Sequence, residues 1–248
     1  MSAIEKLLST WPVDQLISRK QEFALVGNHI IEVAANQRYL DSRLPKSTKL
    51  GVIISGPSGA GKDEFVKGLE ATDNFVRVVT HTDRAKRPQE YDGIDYHFVS
   101  PAQFDQMVAA RAFFEDSPYA GHRKGIARDT VEEVLQQHKI PIFRIDPQGA
   151  VKLLKMWTDG NFFQDYAMVN YFIMPESETV LRQRLQIRDN DTGRMTMLAK
   201  DLNGITVAHY VVLNNDGEAN EAISEVCGLT ESLLQKMPRL TGQSHICI

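Results

Sequence analysis

The chain has 248 residues, of which 42% are hydrophobic and 24% are charged, and its formal net charge at pH 7 is −4. These proportions are ordinary for a globular protein and exclude a disordered tail, a collagen-like fibre and a disulfide scaffold. Two cysteines are too few for a disulfide framework or a cysteine-rich zinc site. A calculated isoelectric point near 6.0 gives no reason to expect nucleic acid as a partner. No apolar run approaches the roughly 18 residues of a membrane span, so we expect a cytoplasmic protein without a membrane partner.

Residues 1–49 are expected to form a helical N-terminal extension. Apolar side chains within residues 4–8 have helical spacing before Trp11 and the following proline interrupt the pattern. Residues 13–43 contain few helix breakers and predict one or two amphipathic helices. A polar hinge at 45–49 follows. We expect this extension to pack on the next domain, or to contact a partner or a second copy of the chain.

From residue 50 the pattern changes to alternating strands and helices. The apolar run 50–55 is typical of a strand buried on both faces of a parallel sheet, and a helix-like segment follows at 63–70. Further strands are predicted at 76–80, 140–145, 169–174 and 210–213, with helices at 131–138 and 179–188. This alternation predicts an α/β domain over 50–228 with a mostly parallel central sheet, followed by a C-terminal tail over 229–248.

The strongest motif is a glycine-rich loop between the first of these strands and its helix. It reads Gly56-Pro57-Ser58-Gly59-Ala60-Gly61-Lys62, with the spacing G-x-x-x-x-G-K. Glycines let the backbone curl so that several N–H groups face one phosphate, and the helix N-terminus adds a favourable dipole. Lys62 is placed to reach the β- and γ-phosphates of a nucleoside triphosphate. We therefore expect this loop, together with Asp63, to bind a nucleoside triphosphate.

Asp63 stands where this motif usually has the serine or threonine whose hydroxyl contacts Mg²⁺. A carboxylate is a hard oxygen ligand that suits Mg²⁺, directly or through water. Alternatively, Asp63 only favours the helix N-terminus electrostatically. Both interpretations stay open at this point.

The order of the motifs resembles the guanylate kinase family over about residues 50–225. The segments that carry the resemblance are 53–62, the paired-arginine segment 80–88, Glu90-Tyr91-Asp92-Gly93-Ile94-Asp95-Tyr96-His97-Phe98-Val99-Ser100, Phe113-Phe114-Glu115, Ile145-Asp146-Pro147-Gln148-Gly149 and Arg184-Leu185-x-x-Arg188. This resemblance implies a three-layer P-loop fold with an acceptor-binding region at about 80–128 and a helical lid at about 184–202. It also implies an ATP- and Mg²⁺-dependent kinase that phosphorylates GMP or dGMP.

The resemblance also implies roles for individual residues. Arg84, Arg87 and Tyr96 would hold the acceptor phosphate, and planar guanidinium groups suit phosphate oxygens. Glu115, Asp146 and Thr80 would read the guanine base, whose N1–H and N2–H₂ donors suit a carboxylate.

The transfer step is assigned to Lys62 and to two arginines of the lid. Arg184 and Arg188 lie one helical turn apart and share a face. The resemblance implies that they close over the triphosphate, which would also exclude water. No protein nucleophile is needed, since the acceptor phosphate oxygen attacks directly.

Three positions depart from the family pattern and bear on the acceptor. Lys124 stands in place of a phosphate-binding tyrosine and can still hold phosphate as a point charge. Ile126 replaces a hydroxyl residue and cannot help to read guanine O6. Arg144 replaces the first aspartate of the usual Asp-x-Asp strand end. Lys124 and Arg144 make the expected acceptor pocket more cationic, and we expect the loss of the hydroxyl at Ile126 to weaken the preference for GMP.

Other functions on this fold stay open. Ribose 1,5-bisphosphate phosphokinases share the Gly-Lys-Asp loop and an Asn-Asn-Asp-Gly ending like 214–217, but they lack the Asp-Gly-x-Asp-Tyr-x-Phe segment present here. Some deoxynucleoside monophosphate kinases also carry aspartate after the loop lysine. Guanylate-kinase-like domains of scaffolding proteins bind phosphorylated peptides without transfer. Such domains have typically lost a working nucleotide loop, so Lys62 and the complete glycine set favour an enzyme.

Overall fold

The computed structural model of the protein describes residues 11, 23–119, 121–160, 163–189 and 197–238. The strands are β1 (Phe23–Leu25), β2 (Ile30–Val33), β3 (Lys49–Ser55), β4 (Phe75–Val78), β5 (His81–Thr82), β6 (His97–Phe98), β7 (Phe113–Tyr119), β8 (His122–Ala127), β9 (Ile140–Arg144), β10 (Tyr166–Pro175) and β11 (Tyr210–Asn214). The α-helices are α1 (Ala34–Arg43), α2 (Lys62–Glu70), α3 (Pro101–Ala109), α4 (Arg128–Gln136), α5 (Pro147–Thr158), α6 (Glu178–Asp189), α7 (Leu198–Leu202) and α8 (Ala219–Gln235). Short 3₁₀ helices occupy Leu44–Lys46 and Asn203–Val207.

The central sheet has the strand order β1-β2-β11-β10-β3-β9-β4, and its five strands from β11 to β4 are parallel. Neighbouring residues of β3 face opposite layers of helices. Ile54 packs in one apolar cluster with Phe65 of α2 and Val226 of α8, whereas Ile53 packs in another with Leu153 of α5. The predicted α/β class and three-layer arrangement are therefore confirmed, and the carboxyl ends of β3, β9, β10 and β11 meet at one edge.

A smaller sheet of order β6-β5-β8-β7 is formed within residues 81–127. β5 and β8 pair antiparallel, as do β7 and β8, while β5 and β6 pair parallel. Helix α3 begins with a capping box between Ser100 and Gln103. Its Phe104 ring stacks on Phe113 with 4.7 Å between centroids. The segment proposed as the acceptor-binding region thus has its own small core.

The helix prediction for residues 13–43 is wrong over 23–33. β1 and β2 form an antiparallel hairpin there, and β2 pairs antiparallel with β11. Apolar residues at positions 26, 30 and 33 match a helical period, but Ile30 and Ile31 are both buried, on opposite faces of the sheet. β-branched residues fit a strand covered on both faces. Helix begins only at Ala34, and residues 1–10 and 12–22 lie outside the described part of the chain.

The hairpin is fastened to the domain by carboxylates at its turn. Glu225 of α8 accepts hydrogen bonds from the backbone N–H groups of Asn28 and His29, at 3.1 and 3.0 Å. The two ring nitrogens of His29 lie 3.2 Å from oxygens of Glu225 and Glu218. The peptide N–H of Leu213 also donates to the His29 carbonyl at 2.9 Å. Residues 23–33 therefore belong to the central sheet rather than to a separate extension.

The predicted domain end at residue 228 also needs correction. Helix α8 continues to Gln235, and Leu233 and Met237 are buried in the core cluster that contains Ile54. The apolar face of this helix extends past residue 228 because Val226, Thr230 and Leu233 recur at helical spacing. Residues 239–248 lie outside the described chain. Across the described residues, every helix is either too short or too polar to cross a bilayer.

A buried polar network lies beneath the glycine-rich loop. Ser55, the last residue of β3, donates to Asn170 Oδ1 at 2.7 Å, and the Asn170 peptide N–H donates to Nδ1 of His209 at 2.9 Å. His209 is only 3% exposed. Burial lowers its pKa to about 4, from an ordinary value of 6.5. The neutral ring that accepts from Asn170 is therefore the stable form at neutral pH.

Because His209 of this network is neutral in the folded chain, we expect the protein to become less stable in acid. Between pH 7 and pH 4 the unfolded chain takes up a proton at His209 that the folded chain does not, so the free energy of unfolding falls as the pH drops. The loss from this histidine is about 2 kcal/mol at pH 5. His81, whose pKa burial and His97 also lower to about 4, adds a second loss. Urea denaturation at pH 7 and pH 5 measures the sum.

His209→Asn is the matched variant, since its side-chain oxygen can still accept from Asn170. The difference in unfolding free energy between the two pH values should shrink by about 2 kcal/mol in this variant, because the proton uptake of His209 in the unfolded chain is removed while the other titrating groups are unchanged. Equal pH dependence in the two proteins would contradict the assignment.

Candidate active site

The glycine-rich loop is held tightly against the ends of two strands. Gly56 has φ +135°, and a Cβ there would lie 2.2 Å from the carbonyl oxygen of Ile173. Gly61 has φ +91°, and a Cβ there would lie 2.2 Å from Nδ2 of Asn214. That same amide donates to the Ala60 carbonyl at 2.9 Å. The loop can take this shape only with glycine at both positions.

Lys62 folds back over this loop. Its Nζ donates to the carbonyl oxygens of Gly56 and Pro57, both at 2.7 Å. Burial lowers the Lys62 pKa, and the nearby cations Lys124 and Arg144 act in the same direction, so that it falls to about 8. A phosphate would be a stronger acceptor than two neutral carbonyls and would relieve this repulsion. The position suits the predicted contact with the β- and γ-phosphates.

Asp63 faces the end of the neighbouring strand. Its two carboxylate oxygens lie 3.0 and 3.3 Å from Nη1 of Arg144, and one of them lies 4.0 Å from Nη1 of Arg77. These ion pairs occupy part of the Asp63 carboxylate, whose side chain is 54% exposed. Among the residues that the structure describes, no group of three or more His, Cys, Asp or Glu side chains could hold a metal ion. The predicted contact of Asp63 with Mg²⁺ through water stays a prediction.

The paired arginines are organised by a residue that sequence reasoning missed. Glu90 accepts from Nη1 and Nη2 of Arg84 at 2.9 and 2.7 Å, and from the backbone and side chain of Arg87 at 2.9 and 3.3 Å. Burial raises the Glu90 pKa, but the two arginines outweigh it and lower that pKa to about 2. The available signal was the spacing of three residues between Arg87 and Glu90. Glu90 thus holds both guanidinium groups on one side of the pocket.

Tyr96 lies in the middle of the cationic groups. The guanidinium carbons of Arg84 and Arg144 lie 5.5 and 4.7 Å from its ring centroid, and Nζ of Lys124 lies 5.8 Å away. Burial opposes ionisation of its hydroxyl, but Arg144, Lys124 and Lys62 outweigh burial and lower the Tyr96 pKa to about 7. The structure therefore brings Lys62 of the loop and four predicted acceptor-side groups into one electrostatic environment.

The predicted base-reading residues are buried, and two of them already have polar partners inside the protein. Glu115 is 7% exposed, and Nζ of Lys152 lies 3.2 Å from its Oε1. Burial raises the Glu115 pKa, and the neighbouring Asp146 acts in the same direction, against Lys152. Asp146 caps α5 by accepting from the N–H groups of residues 148 and 149, both at 3.0 Å. Thr80 is 5% exposed.

Ile126 is only 1% exposed and belongs to the apolar cluster of Ile53 and Val131. Its side chain contributes to the core beneath the pocket, which explains how the chain uses an apolar residue at this position. It supplies no polar group to a base.

The predicted lid is described only in part. Nη2 of Arg184 donates to the Asn214 carbonyl at 3.0 Å and to Asp216. These residues, with Gly59, Gly61 and Glu64, line an open cleft of about 350 Å³ beside the glycine-rich loop. The backbone of Arg188 lies in α6, but its side chain lies outside the described part, as do residues 190–196.

A glycine-rich loop between β3 and α2, at the carboxyl edge of a parallel sheet, defines a P-loop phosphate-binding protein. The family model described as guanylate kinase matches residues 48–233. The chain therefore belongs to the guanylate kinase family.

Individual relatives agree with this assignment. The chain is 35% identical over 173 residues to a guanylate kinase of Clostridium perfringens, covering 67% of this chain and 76% of that protein. It is 33% identical over 198 residues to one of Methylococcus capsulatus, covering 76% of this chain and 92% of that protein. The crystal structure of guanylate kinase from Anaplasma phagocytophilum matches with a TM-score of 0.60 at 25% identity, covering 78% of this chain and 89% of that one.

The geometry of the loop gives a direct test with Gly61→Ala. The added Cβ meets Asn214 and the residue has a strained positive φ, so the loop must rearrange. Calorimetry should show at least a tenfold loss of ATP affinity, equivalent to about 1.4 kcal/mol. Gly228→Ala in α8 is the matched control, because a Cβ there meets nothing within 4 Å.

We expect the control to bind ATP normally and to gain about 0.5–1 kcal/mol of stability. Unchanged ATP affinity in Gly61→Ala would show that the loop does not bind phosphate in this conformation.

Proposed function

We propose that this protein transfers the γ-phosphoryl group of ATP to the phosphate of GMP or dGMP. Its membership of the guanylate kinase family makes it a phosphotransferase. One observation carries the assignment of sides: Tyr96 lies 5.8 Å from Nζ of Lys124 and 4.7 Å from the guanidinium carbon of Arg144, and Arg144 pairs with Asp63, the residue after Lys62 of the P-loop. A donor phosphate on the loop and an acceptor phosphate beside Tyr96 would therefore be neighbours, as in-line transfer requires.

The reaction needs little covalent help from the protein. An oxygen of the acceptor phosphate attacks the γ-phosphorus, the bond to the β,γ-bridging oxygen breaks, and ADP leaves. Lys62 holds donor phosphate oxygens, while Arg84 and Arg87 orient the acceptor phosphate. Arg184 and Arg188 of α6 stabilise the charge that spreads over the moving group.

Base selection is assigned to the buried carboxylates. Glu115 and Asp146 would accept from N1–H and N2–H₂ of guanine, and Thr80 would reach O6. Lys152 has to share Glu115 with the base, since its ammonium lies against the same carboxylate. We propose that Mg²⁺ enters as part of the ATP complex, which requires no preformed carboxylate cluster in the protein, and that Asp63 contacts it only through water.

A second candidate is transfer to ribose 1,5-bisphosphate or another more anionic acceptor. The observation that favours it is the cationic surplus beside Tyr96, together with an apolar Ile126 at the position that would read the base. A phosphopeptide-binding module without transfer is the third. It is disfavoured because the loop glycines and Lys62 have the geometry that phosphate binding needs.

A substrate panel tests the proposal. ATP and Mg²⁺ are supplied with each common nucleoside monophosphate, its deoxy form and ribose 1,5-bisphosphate, and ADP release is measured. We expect GMP and dGMP to be phosphorylated fastest, and Lys62→Ala to lower kcat by at least about 10³, because a buried charge–phosphate contact is lost at the transferred group.

Activity confined to ribose 1,5-bisphosphate would refute the base-reading roles. A folded protein that neither binds ATP nor transfers phosphate to any acceptor would support the binding-module alternative.

Glu115→Gln tests base reading separately from phosphate transfer. The amide keeps the shape of the carboxylate but loses the charge that accepts from two donors, so the KM for GMP should rise at least about tenfold with little change in the KM for ATP. Glu132→Gln, on the exposed face of α4, is the matched control and should match the unmodified enzyme. An unchanged KM for GMP in Glu115→Gln would remove this residue from the base site.

A further inference from the structure

Two positions that depart from the family pattern lie in contact with each other. Arg144 ends β9 and pairs in register with Ile54, one residue before β3 ends at Ser55. Its side chain is 10% exposed, and Nη1 faces both oxygens of Asp63 at the start of α2. The carboxylate after the loop lysine and the guanidinium at the strand end therefore form one ion pair beside the P-loop.

The other end of the Arg144 guanidinium reaches the acceptor side. Nη2 donates to the Asp95 carbonyl at 3.1 Å, and the guanidinium carbon lies 4.7 Å from the ring centroid of Tyr96. Arg144 thus spans the gap between the helix that carries Lys62 and the loop that carries Tyr96. It has a direct contact with each of these two segments.

The excess of positive charge around Arg144 favours the binding of an anion. Nζ of Lys124 lies 5.8 Å and the guanidinium carbon of Arg144 lies 4.7 Å from the Tyr96 ring centroid, and Lys62 acts electrostatically on the same tyrosine. The carboxylate of Asp63 opposes them, but its side chain is 54% exposed, whereas that of Arg144 is 10% exposed. Buried positive charge in excess of its counter-charge is costly, and phosphate is the anion that guanidinium groups match in shape.

We propose that Arg144 contacts the transferred phosphoryl group between the donor and acceptor phosphates, and that Asp63 is the positioning residue that holds it there. This inference rests on the proposed function, because it assumes a phosphate on each side of the guanidinium. Arg144 supplies two N–H groups to equatorial oxygens of the γ-phosphate while that phosphate moves to the acceptor oxygen. The carboxylate of Asp63 acts through Arg144.

ATP and ADP binding tests this placement without using any acceptor. Only ATP has the γ-phosphate, so Arg144→Ala should weaken ATP at least about tenfold in calorimetry while changing ADP affinity less than about threefold. Arg144→Lys keeps the charge but loses the planar fork, so we expect near-normal ATP affinity with kcat lowered at least about tenfold. Thermal melting confirms that each variant is folded, and Arg144→Gln replaces Arg144→Ala if alanine fails to fold.

Lys139→Ala is the matched control. Lys139 directly precedes β9, at the opposite end from Arg144, and its Nζ forms an ion pair with Asp73 at 2.6 Å. The Lys139→Ala variant loses one cation next to β9, at the end of the strand far from the glycine-rich loop. We expect its ATP affinity, ADP affinity and kcat to stay unchanged.

The positioning role of Asp63 is tested by measuring kcat and the KM for ATP separately in two variants. Asp63→Asn should lower kcat about tenfold with little change in the KM for ATP, and Asp63→Glu should recover part of the loss by reaching Arg144 again. The Mg²⁺ concentration that gives half-maximal rate should change less than about threefold in both variants, since the proposed contact of Asp63 with Mg²⁺ is only through water. A shift of about tenfold or more would instead make Asp63 a direct metal ligand and overturn its positioning role.

The outcomes separate this inference from the proposed function. If the unmodified enzyme phosphorylates GMP and Arg144→Ala keeps both its kcat and its preference for ATP over ADP, the role of Arg144 is overturned and the function stands. If no monophosphate is phosphorylated but the Arg144→Ala variant loses affinity for ATP alone, the γ-phosphate contact is supported and the acceptor assignment fails.

Discussion

Positive charge concentrated at the carboxyl edge of the central sheet is the constraint on which the rest of the site depends. Three of the cations assigned to phosphate have acceptors inside the protein. Lys62 bonds two loop carbonyls, Arg144 bonds Asp63, and Arg184 bonds the carbonyl of Asn214 and the carboxylate of Asp216. Phosphate binding at these cations is therefore an exchange of partners, which reduces the net gain from each new contact.

Much of this arrangement can be predicted from the sequence because the residues that indicate it are close together in the chain. A buried strand, a glycine-rich turn and a helix in direct succession fix the loop around Lys62, and parallel strands bring their carboxyl ends to one edge. The ion pair of Asp63 and Arg144 could not be predicted in the same way. The two residues are 81 positions apart, so each looks like an isolated departure until β3 and β9 are seen as neighbours.

The N-terminal region shows a different limit of sequence reasoning. Val26, Ile30 and Val33 satisfy a helical period, and only the packing environment decides against it. The edge of β11 offers unpaired backbone groups and an apolar face on each side, so β2 gains more from pairing there than from a surface helix. Tertiary contacts override local pattern most easily in such short apolar segments.

The acceptor side combines carboxylates that suit a guanine base with cations that suit a phosphate. Buried carboxylates at Glu115 and Asp146 suit the donor edge of guanine, yet Lys152 lies on the first and the cap of α5 uses the second. A base that binds there must compete with partners already in place, and a phosphate beside Tyr96 must likewise compete with Glu90 for Arg84 and with Asp63 for Arg144. The base contacts would set selectivity, since unpaired buried polar groups penalise the wrong base more than matched ones reward the right one.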